Sequence, residues 1–166
     1  SEMCIRDRKE VEDLLQTDVM TVTGLTVKQN LAKIEGASSW QNIIRSRRSP
    51  LIKDGGLVPV FGNLAPDGAI IKKSAASPHL LHHRGPAIVF ESAEDLYHRL
   101  DDHKLPVTPD HILVLRNEGP VGGPGMPEVG NLAIPKKLLR QGVRDMVRIS
   151  DARMSGTAFG TIVLHI

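Results

Sequence analysis

The sequence is short of thiols, aromatics, net charge and long apolar runs, and each shortage excludes something. Its single cysteine, Cys4, rules out an internal disulfide, a zinc ribbon and a self-contained iron–sulfur site. Aromatic residues make up only 3% of the chain, so the core has to be aliphatic. Twenty-one Lys and Arg against 19 Asp and Glu leave a net charge of +2, too even a balance for a nucleic-acid footprint. No apolar run approaches the roughly 18 residues of a membrane span. The first residues lack the basic, apolar and small-residue order of a signal peptide. Present instead are 40% apolar residues, 15 glycines and 11 prolines in 166 positions. That is enough for a packed core with many shaped loops. The expectation is a soluble, cytoplasmic domain that binds neither membrane nor nucleic acid.

Residues 1–8, Ser-Glu-Met-Cys-Ile-Arg-Asp-Arg, show no periodicity and read as a non-native scar. Residues 9–50 read as a helical lead-in followed by a linker. Val11, Leu14, Leu15 and Val19 share one helical face until Thr23-Gly24 breaks it. Thr26 caps a second helix carrying Val27, Leu31 and Ile34, which Gly36 closes. Arg45, Arg47 and Arg48 precede Pro50; with so small a net charge they read as a solvated linker.

Residues 51–166 are β-rich. Six short apolar runs bounded by turn residues predict strands at 57–61, 69–71, 87–90, 112–115, 146–149 and 161–166. Ser92 with Asp95 approximates a capping box for a helix carrying Ala93, Leu96, Tyr97 and Leu100. Pro135 opens a helix over 136–141 that Gly142 stops. Six strands with two helices do not make a regular βαβ series, so a mixed sheet or barrel flanked by helices fits better. The last strand reaches Ile166 without a turn or polar tail, so the natural polypeptide is expected to continue.

Three loops have the composition for chemistry. Gly62-Asn-Leu-Ala-Pro-Asp-Gly68 reads first as a Pro-Asp-Gly turn. The second, Arg116 to Gly130, has five glycines and three prolines between Gly119 and Gly130. Glycine permits close backbone approach and proline fixes the path, which makes a rigid, shaped loop. It is neither a P-loop nor a dinucleotide fingerprint, since no Lys-Ser/Thr and no helix follow the glycines. Its carboxylates are Glu118 and Glu128, and such a group can ligate a hard cation such as Mg²⁺ or simply be solvated. The third loop, Ser150 to Gly160, carries Ser155 between Arg153 and Thr157. It lacks the glycine spacing of a nucleophile elbow. A serine acting as base needs its proton destabilised by a cation or by oriented N–H groups. His79, His82 and His83 cluster without a second group to complete a metal site.

Taken in order, Gly62 to Lys72, Glu118-Gly-Pro-Val-Gly-Gly-Pro-Gly-Met-Pro-Glu128 and Ser150-Asp-Ala-Arg-Met-Ser-Gly-Thr157 resemble the dihydroxy-acid/phosphogluconate dehydratase family. The resemblance covers about residues 20–166, the tail of that family's N-terminal domain and most of its C-terminal domain. The stretch Ile149 to Thr157, with Ile134-Pro-Lys-Lys before it, looks most like the sugar-acid (arabinonate- and xylonate-type) dehydratases. Branched-chain members more usually have Phe where Met154 stands.

The resemblance implies an α/β fold with a mixed β-barrel flanked by helices, and a hydro-lyase that turns a 2,3-dihydroxy carboxylate into a 2-keto acid. It also implies two cofactors, Mg²⁺ and an iron–sulfur cluster that helps hydroxide leave. Matched motif to motif, Glu128 falls at a Mg²⁺ ligand and Ser155 at the base that takes the C2 proton as an alkoxide. Thr157 falls at a weaker position, hydrogen-bonding substrate or Ser155, and Glu118 holds the loop. The cluster cysteines and the other Mg²⁺ ligands belong to an N-terminal domain, so the partners implied are that domain, a small sugar acid or dihydroxy acid, and a second copy of the protein. Two other readings stay open: a branched-chain dihydroxy-acid dehydratase, and a non-catalytic barrel whose Gly-Pro loop holds an anionic metabolite or another chain.

Overall fold

The computed structural model describes residues 2–36, 40–125, 128, 130, 132–154 and 159–166. The chain forms two compact units, Ser1–Lys53 and Asp54–Ile166.

In the first unit, helix α1 spans Glu2–Glu10 and helix α2 spans Val27–Leu31, with a single 3-10 turn at Glu12–Leu14. α1 occupies the stretch that has no apolar periodicity; its Glu, Met, Arg and Lys residues are good helix formers, and propensity was the signal. The helical face expected at Val11–Val19 does not form. The carbonyls of Thr17 and Val19 instead accept the amides of Lys28 (2.7 Å) and Val27 (3.1 Å), the orphan donors of α2's first turn. A segment used as a cap cannot also be a helix. α2 starts as expected: Thr26 Oγ1 accepts from the Gln29 amide (3.2 Å) and Gln29 Oε1 accepts from the Thr26 amide (2.8 Å), a reciprocal box. It ends at Leu31, short of Gly36. Arg47, from the arginine run, pairs with Asp13 at 2.6 Å, and that bond holds the Asp13 carboxyl below its ordinary pKa.

In the second unit the strands form where the apolar runs predict. They are β1 (Val58–Val60), β2 (Ala69–Ile71), β3 (Ala87–Phe90), β4 (Ile112–Leu115), β5 (Arg148–Ser150) and β6 (Ile162–Leu164). Helix α3 (Ala93–Arg99) follows β3, and α4 (Lys136–Arg140) precedes β5. The strand order is β1-β2-β6-β5-β4-β3. β1–β2 and β2–β6 pair antiparallel, whereas β6, β5, β4 and β3 run parallel. Among the described residues this is an open mixed sheet with β1 and β3 at its edges, not a closed barrel. β1 suits an edge: Pro59 at its centre has no N–H to offer a further strand.

Alternation places Ile88 and Phe90 of β3 and Leu113 and Leu115 of β4 on the face that α3 and α4 cover. Leu96 of α3, Leu138 of α4, Leu132 and Met146 complete that cluster, and Phe90, Leu113, Leu132 and Met146 are wholly buried. Each such side chain contributes about 1.5–3 kcal/mol relative to exposure. α3 begins where Ser92 Oγ accepts the Asp95 amide (3.2 Å). Asp95 reaches one residue further back than a capping box would, to the Glu91 amide (3.0 Å). Gly142, at φ +90°, lets the chain leave α4 in the left-handed region. No helix among the described residues is long and apolar enough to cross a membrane.

Candidate functional site

The second and third loops leave the C-terminal ends of the adjacent parallel strands β4 and β5, the end of a parallel sheet where ligands usually bind. After β4, Asn117 turns the chain at φ +61°, a conformation Asn tolerates, and its amide donates to the Glu91 carbonyl (3.0 Å). Glu118 follows and is buried at 8% exposure. Its Oε1 accepts the Ala93 amide at 2.6 Å, so this carboxylate satisfies a donor at the start of α3. Glu118 therefore holds the loop against the scaffold.

Asp151, just past β5, closes the loop from the other side. Its Oδ1 accepts the Glu118 amide (3.1 Å) and its Oδ2 the Gly119 amide (3.0 Å). The glycines then fold the loop onto its own stem. A Cβ on Gly122 would sit 2.4 Å from the Asn117 carbonyl oxygen, and one on Gly123 would sit 2.8 Å from that of Glu118. The close approach read from these glycines is thus made to the loop's own backbone.

Further along, Gly130 donates to the Arg153 carbonyl (2.9 Å), and a Cβ there would sit 2.6 Å from the same oxygen. Beside it, Arg153 Nη1 reaches Glu128 Oε1 at 3.0 Å, with both side chains about half exposed. The exits of both loops meet beneath, on Arg148. Its Nη1 donates to the Leu132 carbonyl (2.7 Å) and its Nη2 to that of Phe159 (3.2 Å). Arg148 is paired with Asp145 at 3.0 Å, and both are nearly inaccessible. Asp145 also accepts from the Thr161 amide and hydroxyl, the Ser77 amide and its neighbour Met146. Burial pushes the Asp145 carboxyl up, but the Thr161 and Ser77 bonds and the Arg148 charge outweigh it, leaving the pKa below 3.8. Burial likewise lowers the Arg148 pKa, which the Asp145 charge opposes.

So Asp151 ties the loop entrances and the Asp145–Arg148 pair ties the exits. Sequence reasoning missed all three residues. The available signal was an acid and a base three residues apart at the entrance to an apolar strand, where charge is out of place unless paired.

Of the expected site residues, Glu128 is exposed at the loop surface against Arg153. Ser155 and Thr157 lie outside the described residues, and Met154, the position before Ser155, is the nearest described point on that loop. Gly62–Gly68 is a turn: Gly62 and Ala65 exchange backbone bonds (3.2 and 3.1 Å), and Gly68 has φ +106°. It contributes Leu64 to a cleft of about 260 Å³, together with Leu115, Arg116, Asn117, Ser150 and Asp151. A larger cleft of about 490 Å³ at the opposite end of the strands carries His79 and His83. His83 Nε2 lies 2.9 Å from the Asp110 carbonyl.

Mg²⁺ takes hard oxygen donors, commonly one or two carboxylates completed by water and substrate. Glu128 has the chemistry and exposure for one such ligand, and Arg153 shows that a cation already finds it. Among the described residues no three His, Cys, Asp or Glu side chains converge on a metal position. An iron–sulfur cluster does not fit: it needs several thiolates, and the sequence holds one cysteine.

Residues 42–166 match the family described as dihydroxy-acid/6-phosphogluconate dehydratase, C-terminal. An L-arabonate dehydratase of Azospirillum brasilense is 52% identical over 149 residues, 90% of this chain and 25% of that protein. A 6-deoxy-6-sulfo-D-gluconate dehydratase of Pseudomonas putida is 56% identical over 128 residues, 75% of this chain and 22% of that protein. A dihydroxy-acid dehydratase of Caldicellulosiruptor bescii is 44% identical over 154 residues, 92% of this chain and 27% of that protein. The chain spans about a quarter of the length of the curated relatives it matches. It belongs to the dihydroxy-acid/6-phosphogluconate dehydratase family and carries sequence of that family's C-terminal region.

Proposed function

We propose that the protein containing this chain is a hydro-lyase acting on a 2,3-dihydroxy carboxylate, a sugar acid of the pentonate type. The observation that carries the reading is the Glu128–Arg153 contact, which sets the expected cation ligand against the loop of the expected base, Ser155. Identities of 52% and 56% to dehydratases named for sugar acids, against 44% to one named for dihydroxy acids, favour the sugar-acid class.

In the proposed reaction Ser155 Oγ takes the C2 proton. The C2–H electron pair forms the C2–C3 double bond as the C3–O bond breaks and hydroxide leaves, to be protonated to water. The resulting enol gains a proton at C3 and becomes the 2-keto acid. A divalent cation on Glu128 would stabilise the charge that develops on the carboxylate and 2-hydroxyl. Asp151 and the Asp145–Arg148 pair keep the two loops in fixed register, which is the positioning that such proton transfer requires. The cluster and the remaining cation ligands fall to an N-terminal domain, and the open sheet is this chain's share of a barrel.

The test is Glu128→Gln in the complete protein, with bound Mg²⁺ and 2-keto acid formation both measured. Weakened Mg²⁺ retention with lost turnover supports the reading; unchanged metal content and activity would sink it. Comparing kcat/KM on pentonates and on 2,3-dihydroxyisovalerate separates the two substrate classes. A complete protein that yields no 2-keto acid from either supports the non-catalytic module.

A further inference from the structure

The cleft of about 490 Å³ at the other end of the strands, away from the loops after β4 and β5, is lined by His79, His83 and Arg144, with Asp110, Asp145 and Phe159 among its other walls. Its volume falls within the roughly 300–1,000 Å³ of small-ligand sites. The frame around it is fixed. The Ser77 amide, two residues before His79, donates to Asp145 Oδ2 (3.2 Å) and Thr161 Oγ1 (3.0 Å), and Leu80, next to His79, is buried. His83 Nε2 lies 2.9 Å from the Asp110 carbonyl oxygen, and a Cβ on Gly85 would fall on that same oxygen. Arg144 Nη1 donates to the Leu139 carbonyl (3.1 Å) in the last turn of α4. Phe159 is held through its carbonyl by Arg148 Nη2 (3.2 Å), yet it is 61% exposed.

The charges in this cleft do not cancel. Among the described residues, His79, His83 and Arg144 have no acidic partner. Asp145 is spent on Arg148 at 3.0 Å, which leaves Asp110 as the one uncommitted carboxylate lining the cleft. A carbonyl oxygen only accepts, so His83 Nε2 carries the hydrogen. Nδ1 is then an acceptor in the neutral ring and becomes a donor when the ring is charged. An anion placed beside Arg144 favours the charged ring, so anion and proton enter together.

We infer that this cleft binds a small organic acid. Its carboxylate rests on Arg144 and the imidazolium of His83, its apolar body lies against Phe159, and its binding takes up protons. The inference goes beyond the proposed function and does not rest on it.

The test uses the complete protein with benzoate as probe and benzamide as its uncharged counterpart. Calorimetric titration near neutral pH, in buffers of different ionisation enthalpy, gives both the affinity and the protons taken up. Benzoate should bind with net proton uptake, and benzamide about tenfold more weakly or worse. Arg144→Gln should weaken benzoate about tenfold or more. His83→Gln keeps an N–H for the Asp110 carbonyl but cannot take a charge, so most of the proton uptake should vanish and affinity fall several-fold. Wild type that does not bind benzoate, or binds benzamide as well, overturns the inference. So does an unchanged affinity in Arg144→Gln, or an unchanged proton uptake in His83→Gln; either variant decides if the other does not fold. A protein that forms no 2-keto acid yet binds benzoate in this way leaves the inference standing, so the two readings fail separately.

Discussion

Asp145→Asn should be among the most damaging single-atom changes in the sheet unit. The carboxylate receives the Thr161 amide and hydroxyl, the Ser77 amide, the Met146 amide and Arg148 Nη2, so an amide NH₂ in place of one oxygen points a donor at donors. It also removes the counter-charge of a guanidinium whose side chain is 4% exposed. Breaking one partner of a buried pair costs about 3–5 kcal/mol, a large part of the roughly 5–15 kcal/mol that stabilises a domain. For a unit of this size that is on the order of a 10–20 °C fall in midpoint temperature. Urea and thermal unfolding followed by circular dichroism measure it; Trp40 lies in the other unit, so its fluorescence is the wrong probe. The pH dependence has a defined sign. The folded carboxyl titrates below 3.8, so its contribution is complete above that value and disappears as pH falls through the lower folded pKa. Wild type should therefore lose stability below about pH 4 more steeply than the variant, whose residue 145 does not titrate. Replacing both partners, Asp145→Leu with Arg148→Met, should recover much of the loss, since apolar isosteres of buried pairs are often neutral. A loss under about 1 kcal/mol for Asp145→Asn would refute the view that this pair anchors both loop exits.

Gly160→Ala should cost about 2 kcal/mol or more, because φ is +113° and the new Cβ would fall on the Arg148 guanidinium; a neutral thermal midpoint would contradict the packing described. Glu118→Ala should cost about 1–3 kcal/mol by leaving the Ala93 amide without its acceptor, which chemical denaturation reads directly. Thr26→Ala should cost about 1 kcal/mol, confined to the first unit. Hydrogen exchange at the amides of α2 is its measure, and unchanged protection there would count against the cap.

What was legible in the sequence was local. β-branched runs between turn residues marked all six strands, and Thr26, Ser92, Pro135 and Gly142 marked helix ends, because each signal is carried by the residue's own conformational preference. What was not legible depended on partners distant in the chain. The Val11–Val19 stripe looks helical until the carbonyls of Thr17 and Val19 are claimed by α2. Whether a mixed sheet closes is decided by pairing between its edges, and no short stretch of residues states that. At the site, composition picked out the two loops, but the residues that join them, Asp151 and Arg148, act through backbone groups 32 and 16 positions away. Glu128 and Ser155 stood out only because whole motifs resembled a family; singly, each is an ordinary loop residue.

The proposed function makes the loops after β4 and β5 one site of dehydration in which Ser155 removes the C2 proton. The most direct test is the turnover of the complete protein carrying Ser155→Ala, with a pentonate as substrate. A fall in kcat of about 10²–10⁴-fold with substrate binding retained is expected. A near-normal kcat in that variant would contradict it.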